Sequence, residues 1–176
     1  VRGYQLVCVM PEKMSEDKRR ALRAMGARLI ITDNAPPDDP RNFQQVAQRM
    51  AAENGWFLTD QFNHPANPGV HEQTTGPELL RQAGGSIAAF VAGAGTGGTI
   101  TGVARHLKQA CPRARVVLAD PVGSRLAGLI NDGTMGEDGA YTLEGIGSSK
   151  VPGVMDVTLI DEAISISDTE AYDMAD

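Results

Sequence analysis

The chain has 176 residues, of which 41% are hydrophobic and 22% charged, with a formal net charge of -6 and a pI near 5.0. That length holds one ordinary domain or two small ones, and no stretch approaches the roughly 18 apolar residues of a membrane helix. The acidic balance leaves no electrostatic footprint for a polyanion such as DNA, so neither a nucleic-acid nor a membrane partner is expected.

Val1-Arg2-Gly3 reads as the end of a helix with its Gly stop, and no signal peptide is expected before the apolar strand Gln5 to Met10. Ser15 then offers an N-cap, Glu16 and Asp17 sit where the helix dipole favours anions, and Gly26 supplies the stop. Lys18, Arg19, Arg20 and Arg23 alternate with those acids, as on a solvated helix face. Arg28 to Thr32 is the next strand. After the Pro-rich loop Asp33 to Pro40, the residues Phe43, Val46, Ala47, Met50 and Ala51 recur at helical spacing up to Gly55. Trp56 to Leu58 is expected as a third strand, and the aperiodic Asp60 to Gln73 as a loop or boundary. A helix over 78–83, a strand over 87–92, a Gly-rich run over 93–98, a helix over 99–109 and a strand over 116–119 follow. Alternating strands and helices imply parallel strands with crossover helices, an α/β doubly wound architecture. Ser167-Asp168-Thr169-Glu170 is a capping box. Because both ends cut through elements, the chain reads as an internal piece of a longer protein.

The strongest chemical signal is Gly93-Ala94-Gly95-Thr96-Gly97-Gly98-Thr99 between a strand and a helix. Such a loop brings several backbone N–H groups to one anion, and the helix N-terminus adds positive partial charge. It reads as a phosphate cradle. Gly93, Gly95 and Gly98 also satisfy G-x-G-x-x-G, with Asp120 near the place of a ribose-binding acid, so a nucleotide-binding oxidoreductase fragment is a rival. Three earlier strands count against it, and the Thr96 and Thr99 hydroxyls suit a terminal phosphate monoester. His64, His71 and His106 are expected as ordinary surface or loop residues, with no metal site among them. Cys8 and Cys111 form neither a disulfide framework nor a metal site, which places the chain in a reducing, cytoplasmic setting. No nucleophile elbow is present.

Taken together, the motifs resemble the cysteine synthase and cystathionine β-synthase family of pyridoxal-phosphate enzymes. The resemblance runs collinearly through Val9-Met10-Pro11-Glu12-Lys13-Met14-Ser15, Arg23-Ala24-Met25-Gly26-Ala27, Asp60-Gln61-Phe62-Asn63 and Asn67-Pro68. It continues through His71-Glu72-Gln73-Thr74-Thr75-Gly76-Pro77-Glu78, the Gly-rich run to Gly102, and Glu144-Gly145-Ile146-Gly147. It covers roughly the middle half of such a protein.

What the resemblance implies is a fold-type II, tryptophan synthase β-like α/β fold, incomplete at both ends, with pyridoxal 5'-phosphate as cofactor. Residues 1–63 would be the remainder of a small mobile domain and 64–176 the first part of a larger cofactor-binding domain. Gly95, Thr96, Gly97, Gly98 and Thr99 would hold the cofactor phosphate, Gly145 and Gly147 would lie beside its ring, and Gln61 would face the substrate carboxylate. An amide donates to a carboxylate without adding charge. The implied reaction is β-replacement on a serine-type amino acid by a thiol or sulfide, in a homodimer, within sulfur amino-acid biosynthesis. Glu144 before Gly145, and Asp120-Pro121 followed by Gly123-Ser124, tilt the resemblance towards cystathionine β-synthases. The family's Ser-x-Lys-x-Arg segment, which carries the Schiff-base lysine, is absent, so no catalytic residue is assigned among Lys13, Lys18, Lys108 and Lys150. The chain alone is therefore expected to be inactive, and a non-catalytic phosphate-binding remnant is the alternative.

Overall fold

The computed structural model describes residues 2–175. The chain divides between Thr59 and Asp60 into two compact units, a few residues before the expected boundary at Asn63. The expected helix end at the start of the chain includes Val1, which lies outside the described residues; Gly3 itself is left-handed, with φ +75°.

In the first unit β1 (Val7–Pro11) pairs in parallel with β2 (Arg28–Thr32), Val7 opposite Arg28 and Pro11 opposite Thr32. The crossover is α1 (Glu16–Ala24), none of whose residues is buried. Glu16 meets Arg19, Arg20 and Arg23 at 3.5, 3.8 and 3.1 Å, so the basic cluster neutralises its own acid on a solvated face. Next comes α2 (Phe43–Asn54). Its N-cap Asn42 accepts from Gln44 N–H at 2.9 Å and donates to Ala35 O at 2.8 Å, which accounts for a polar side chain that is only 6% exposed. The expected strand at Trp56–Leu58 does not form. Trp56 N–H turns back to Ala51 O at 2.9 Å behind the left-handed Gly55, so the helix stop takes the donor a ladder would need, and Phe57 is left 84% exposed.

In the second unit the expected loop or boundary over 60–73 holds for residues 60–65 and is corrected from Ala66 on. Residues Ala66–Val70 form α3, His71–Thr75 form a π-helical turn, and Gly76–Gln82 form α4. The helical period is invisible in the sequence because this stretch docks through small residues rather than an apolar stripe. Pro68 and Gly76 are buried. A Cβ at Gly102 would run into Pro68 O, and one at Gly76 would come within 2.7 Å of His106 Cβ.

The main sheet has the order β3-β4-β5, all parallel: Ala89–Ala92, Arg115–Pro121 and Glu162–Ile166. Its first crossover is α5 (Gly98–Ala110); α6 (Leu126–Asp132) and a 3-10 turn (Val157–Leu159) lie between β4 and β5. The sequence pattern does not mark α6 or β5. Phe90, Ala92, Val116, Leu118 and Ala163 from the sheet pack with Ile100 and Ala104 of α5 and Leu126 and Ala127 of α6. Ile100, Leu107, Leu118 and Leu126 are fully buried, each contributing about 1.5–3 kcal/mol relative to exposure. The capping box opens α7 (Asp168–Ala175) as expected. Ser167 Oγ accepts from Glu170 N–H at 3.3 Å, and the Glu170 carboxylate accepts from Ser167 N–H at 2.9 Å.

Candidate functional site

The Gly-rich run leaves β3 at Ala92 and enters α5 through Gly97, whose φ of +77° is the left-handed conformation a side chain would strain. Thr101 N–H is bonded to Gly97 O at 3.1 Å, which sets the first turn of the helix. The N–H groups of Gly98, Thr99 and Ile100 therefore have no acceptor within the helix. A left-handed residue followed by helical ones makes a concave nest of N–H groups, and the helix dipole adds to its field.

Thr96 is oriented by two donors. Asn67 Nδ2 donates to its Oγ1 at 3.0 Å and Gly98 N–H at 3.3 Å. A hydroxyl has two acceptor sites and one proton, so Thr96 retains its proton for an anion. Thr99 is exposed, and its Oγ1 lies 3.2 Å from His71 Nε2, while His71 Nδ1 lies 2.9 Å from Thr75 Oγ1. The expectation of ordinary surface histidines is thus incomplete. His71 is partly buried on the π-helical turn and stands behind a predicted phosphate contact.

The loop over 144–147 is far away in sequence but lies on this run. Gly147 N–H donates to Ala94 O at 2.9 Å. A Cβ at Gly95 would run into Gly145 O, and one at Gly93 would come within 2.6 Å of Ile146 Cγ2. Both Gly145 and Gly147 have positive φ, +89° and +82°. The third predicted element joins through Asn67, which donates to Gln61 O at 2.7 Å as well as to Thr96, leaving the Gln61 side chain exposed. All seven predicted cofactor residues and Gln61 therefore fall in the same compact unit. A flat group bearing a phosphate fits here: the nest matches the anion, and the glycine loop permits close approach of the backbone.

Asn67 has a part here that the sequence does not mark. The signal that would have found it was an amide in a motif with few helix formers, free to serve two loops at once.

Asp120 is where the rival nucleotide reading fails. It is fully buried, and Oδ2 accepts from Ala127 N–H of α6 at 2.9 Å. A ribose-binding acid must reach its ligand, and this one is turned into the protein. Burial pushes its carboxyl pKa up, against the lowering effect of the neighbouring Ser124 hydroxyl and of the Ala127 and Leu126 N–H groups. Among the described residues its Oδ1 has no hydrogen-bond partner. Lys108 is also committed, with Nζ 2.8 and 2.7 Å from the two Asp161 oxygens.

The chain is similar to known proteins over nearly its whole length. The profile of the family described as "Pyridoxal-phosphate dependent enzyme" matches residues 1–176. A cysteine synthase of Staphylococcus aureus (strain N315) is 39% identical over 175 residues, covering 99% of this chain and 54% of that protein. A cystathionine beta-synthase of Oryctolagus cuniculus is 43% identical over 178 residues, covering 99% of this chain and 32% of that protein. The crystal structure of O-ureido-L-serine synthase superposes with a TM-score of 0.85 at 35% identity, over 98% of this chain and 52% of that one. The chain thus spans about half the length, or less, of these relatives. The fold is that of fold-type II enzymes, and the chain belongs to the pyridoxal-phosphate-dependent enzyme family.

Proposed function

We propose that the protein carrying this chain catalyses β-replacement on a serine-type amino acid, with a thiol or sulfide as the incoming nucleophile, in sulfur amino-acid biosynthesis. The observation that carries this reading is the convergence of the Gly-rich run, the 144–147 loop and Gln61 through Asn67 and the Gly147–Ala94 hydrogen bond. When bound, pyridoxal 5'-phosphate supplies an electron sink that makes the amino-acid Cα–H acidic and lets the β-substituent leave. The chain's own part is binding and orientation. N–H groups at the start of α5 and the Thr96 and Thr99 hydroxyls hold the phosphate; Gly145 and Gly147 let backbone close on the ring; the Gln61 amide donates to the substrate carboxylate.

Among subclasses, Glu144 before Gly145 and the Asp120-Pro121-Val122-Gly123-Ser124 turn favour a cystathionine β-synthase type over a cysteine synthase type. The first unit acts as part of a small mobile domain and the second as part of the cofactor-binding one. The 176 residues alone are inactive, because none of their lysines lies in a Schiff-base segment. The working form is a cytoplasmic homodimer, its two cysteines free as a reducing compartment keeps them.

The test uses the intact protein. Equilibrium dialysis should show saturable binding of pyridoxal 5'-phosphate and much weaker binding of unphosphorylated pyridoxal. Mass spectrometry after incubation with serine and homocysteine should show cystathionine, and with O-acetylserine and sulfide should show less cysteine. Equal binding of pyridoxal and its phosphate would overturn the phosphate assignment; the absence of both products would overturn the reaction.

A further inference from the structure

Two glycines at positive φ make the 144–147 loop intrinsically adaptable, so something outside it must hold it on the Gly-rich run. The Gly147–Ala94 hydrogen bond is one tie. The other is built at the end of β4. After Pro121 the chain turns sharply at Gly123, whose φ is +101° and where a Cβ would come within 2.9 Å of the Gly139 carbonyl. Ser124 N–H closes this turn on Pro121 O at 2.9 Å.

The turn delivers the Ser124 hydroxyl to Ser148, the residue directly after Gly147. Ser124 Oγ accepts from Ser148 N–H at 3.0 Å and donates to Ser148 O at 3.2 Å, while Arg125 N–H donates to the same carbonyl at 3.0 Å. Ser148 is thereby gripped on both of its backbone polar groups. Ser124 is only 8% exposed, so water is poorly placed to replace a lost partner. The turn is tied to the core as well, because the fully buried Asp120 accepts from Ala127 N–H and so joins the strand end to the first turn of α6.

We infer that Ser124 is a positioning residue, acting through Ser148 to hold the Gly145–Gly147 backbone in contact with Gly93 to Gly95, where the two glycine segments would meet the cofactor. This rests on the cofactor reading above and names a residue outside the contacts assigned there. Removal of the hydroxyl should loosen the loop without loosening α5.

The experiment compares Ser124→Ala, Ser124→Thr and Ser124→Val in the intact protein. Thr and Val are nearly isosteric, so that pair isolates the hydroxyl even if the Ala variant folds poorly. Hydrogen exchange is read over 139–150 and, as an internal control, over 98–110; binding of pyridoxal 5'-phosphate is read by equilibrium dialysis. Loss of one net hydrogen bond corresponds to about a five- to tenfold effect. The expected result is exchange over 139–150 faster by about that factor in Ala and Val, near the parent rate in Thr, with cofactor affinity falling in parallel. Unchanged exchange in Val, or equal acceleration over 98–110, would overturn the clamp. Faster loop exchange with unchanged affinity would overturn its connection to the site. Failure of the parent protein to bind the cofactor would instead sink the site reading, and the exchange result would still decide the clamp.

Discussion

Glycine has one physical task in the first unit, shared by Gly133 of the second, and an additional one in the second unit. At Gly26 and Gly55 of the first unit a Cβ would meet nothing within 4 Å, and both residues have positive φ after a helix, so what is used there is backbone freedom. At Gly95, Gly98 and Gly102 of the second unit φ is ordinary, and what is used is the missing Cβ, since Gly145 O, the Asn67 side chain and Pro68 O occupy its place. The cores differ in the same direction. Neither helix of the first unit has a buried residue, and every β1 residue is only partly buried; in the second unit α5 buries seven of its residues, among them Ile100, Val103 and Leu107. Tight packing and the candidate site occur together, as expected where a ligand must be held to within fractions of an ångström.

The sharpest way to break this contrast is to delete one core side chain from each unit. Leu118→Ala should cost about 2–5 kcal/mol, because Leu118 is fully buried between α5 and α6 and the cavity cannot collapse completely. Ile30→Ala, at a partly buried position of β2, should cost less than half of that. Urea denaturation measures both, with Trp56, the single tryptophan, reporting on the first unit and far-ultraviolet circular dichroism on both. Equal losses would show that the two cores are equally dense.

Two glycine substitutions test the division of labour. Gly102→Ala forces a methyl into Pro68 O and should cost about 1–3 kcal/mol by overpacking, with cofactor affinity falling because α3 carries Asn67. Gly55→Ala faces open space and should cost about 1 kcal/mol, from left-handed backbone strain alone. Thermal melts of both variants, with pyridoxal 5'-phosphate dialysis of the first, decide the matter. A Gly102→Ala variant as stable as the parent would remove close approach as the explanation.

The smallest effect is a pH dependence of opposite sign at two acids of the second unit. Burial pushes Asp161 up, but hydrogen bonds from Lys108 and Val116 N–H and the charges of Lys108 and Arg115 outweigh it and leave its pKa below the ordinary value. Its contribution is present above the ordinary carboxylate pKa and is lost as pH falls through the folded one. The group is more than a third exposed, so solvent screening keeps this below about 1 kcal/mol. Asp120 has a raised pKa because of its burial, so its contribution becomes unfavourable as pH rises from the ordinary carboxylate value to the folded one. Stability measured from pH 3 to 7 should therefore lose part of its acid-side fall in Asp161→Asn, and gain at neutral pH relative to the parent in Asp120→Asn. The same sign in both variants would contradict the assignment.

Much of this is legible in the amino-acid sequence. The strand Arg28–Thr32, the helix stop at Gly55, the Ser167–Glu170 capping box and the Gly-rich loop before α5 all involve residues within a turn or so of one another, where propensity, periodicity and capping chemistry act directly. At Trp56–Leu58 and from Ala66 to Gln73 the structure departs from the sequence pattern for one reason in two forms. A strand exists only if a partner offers a ladder, and a helix that docks through Pro68 and Gly76 shows no apolar stripe.

By itself, then, the sequence determined the alternation of strands and helices, the ends of most helices and the residue types that suit a phosphate. Only the tertiary structure decided that Gly147 meets Ala94, that Asn67 ties Gln61 to Thr96, that Asp120 faces inward, and that Ser124 grips Ser148. The physical reason is range: local rules act through neighbouring dihedrals and hydrogen bonds, whereas these contacts join residues brought together by the path of the parallel sheet and the close packing of α3 on α5.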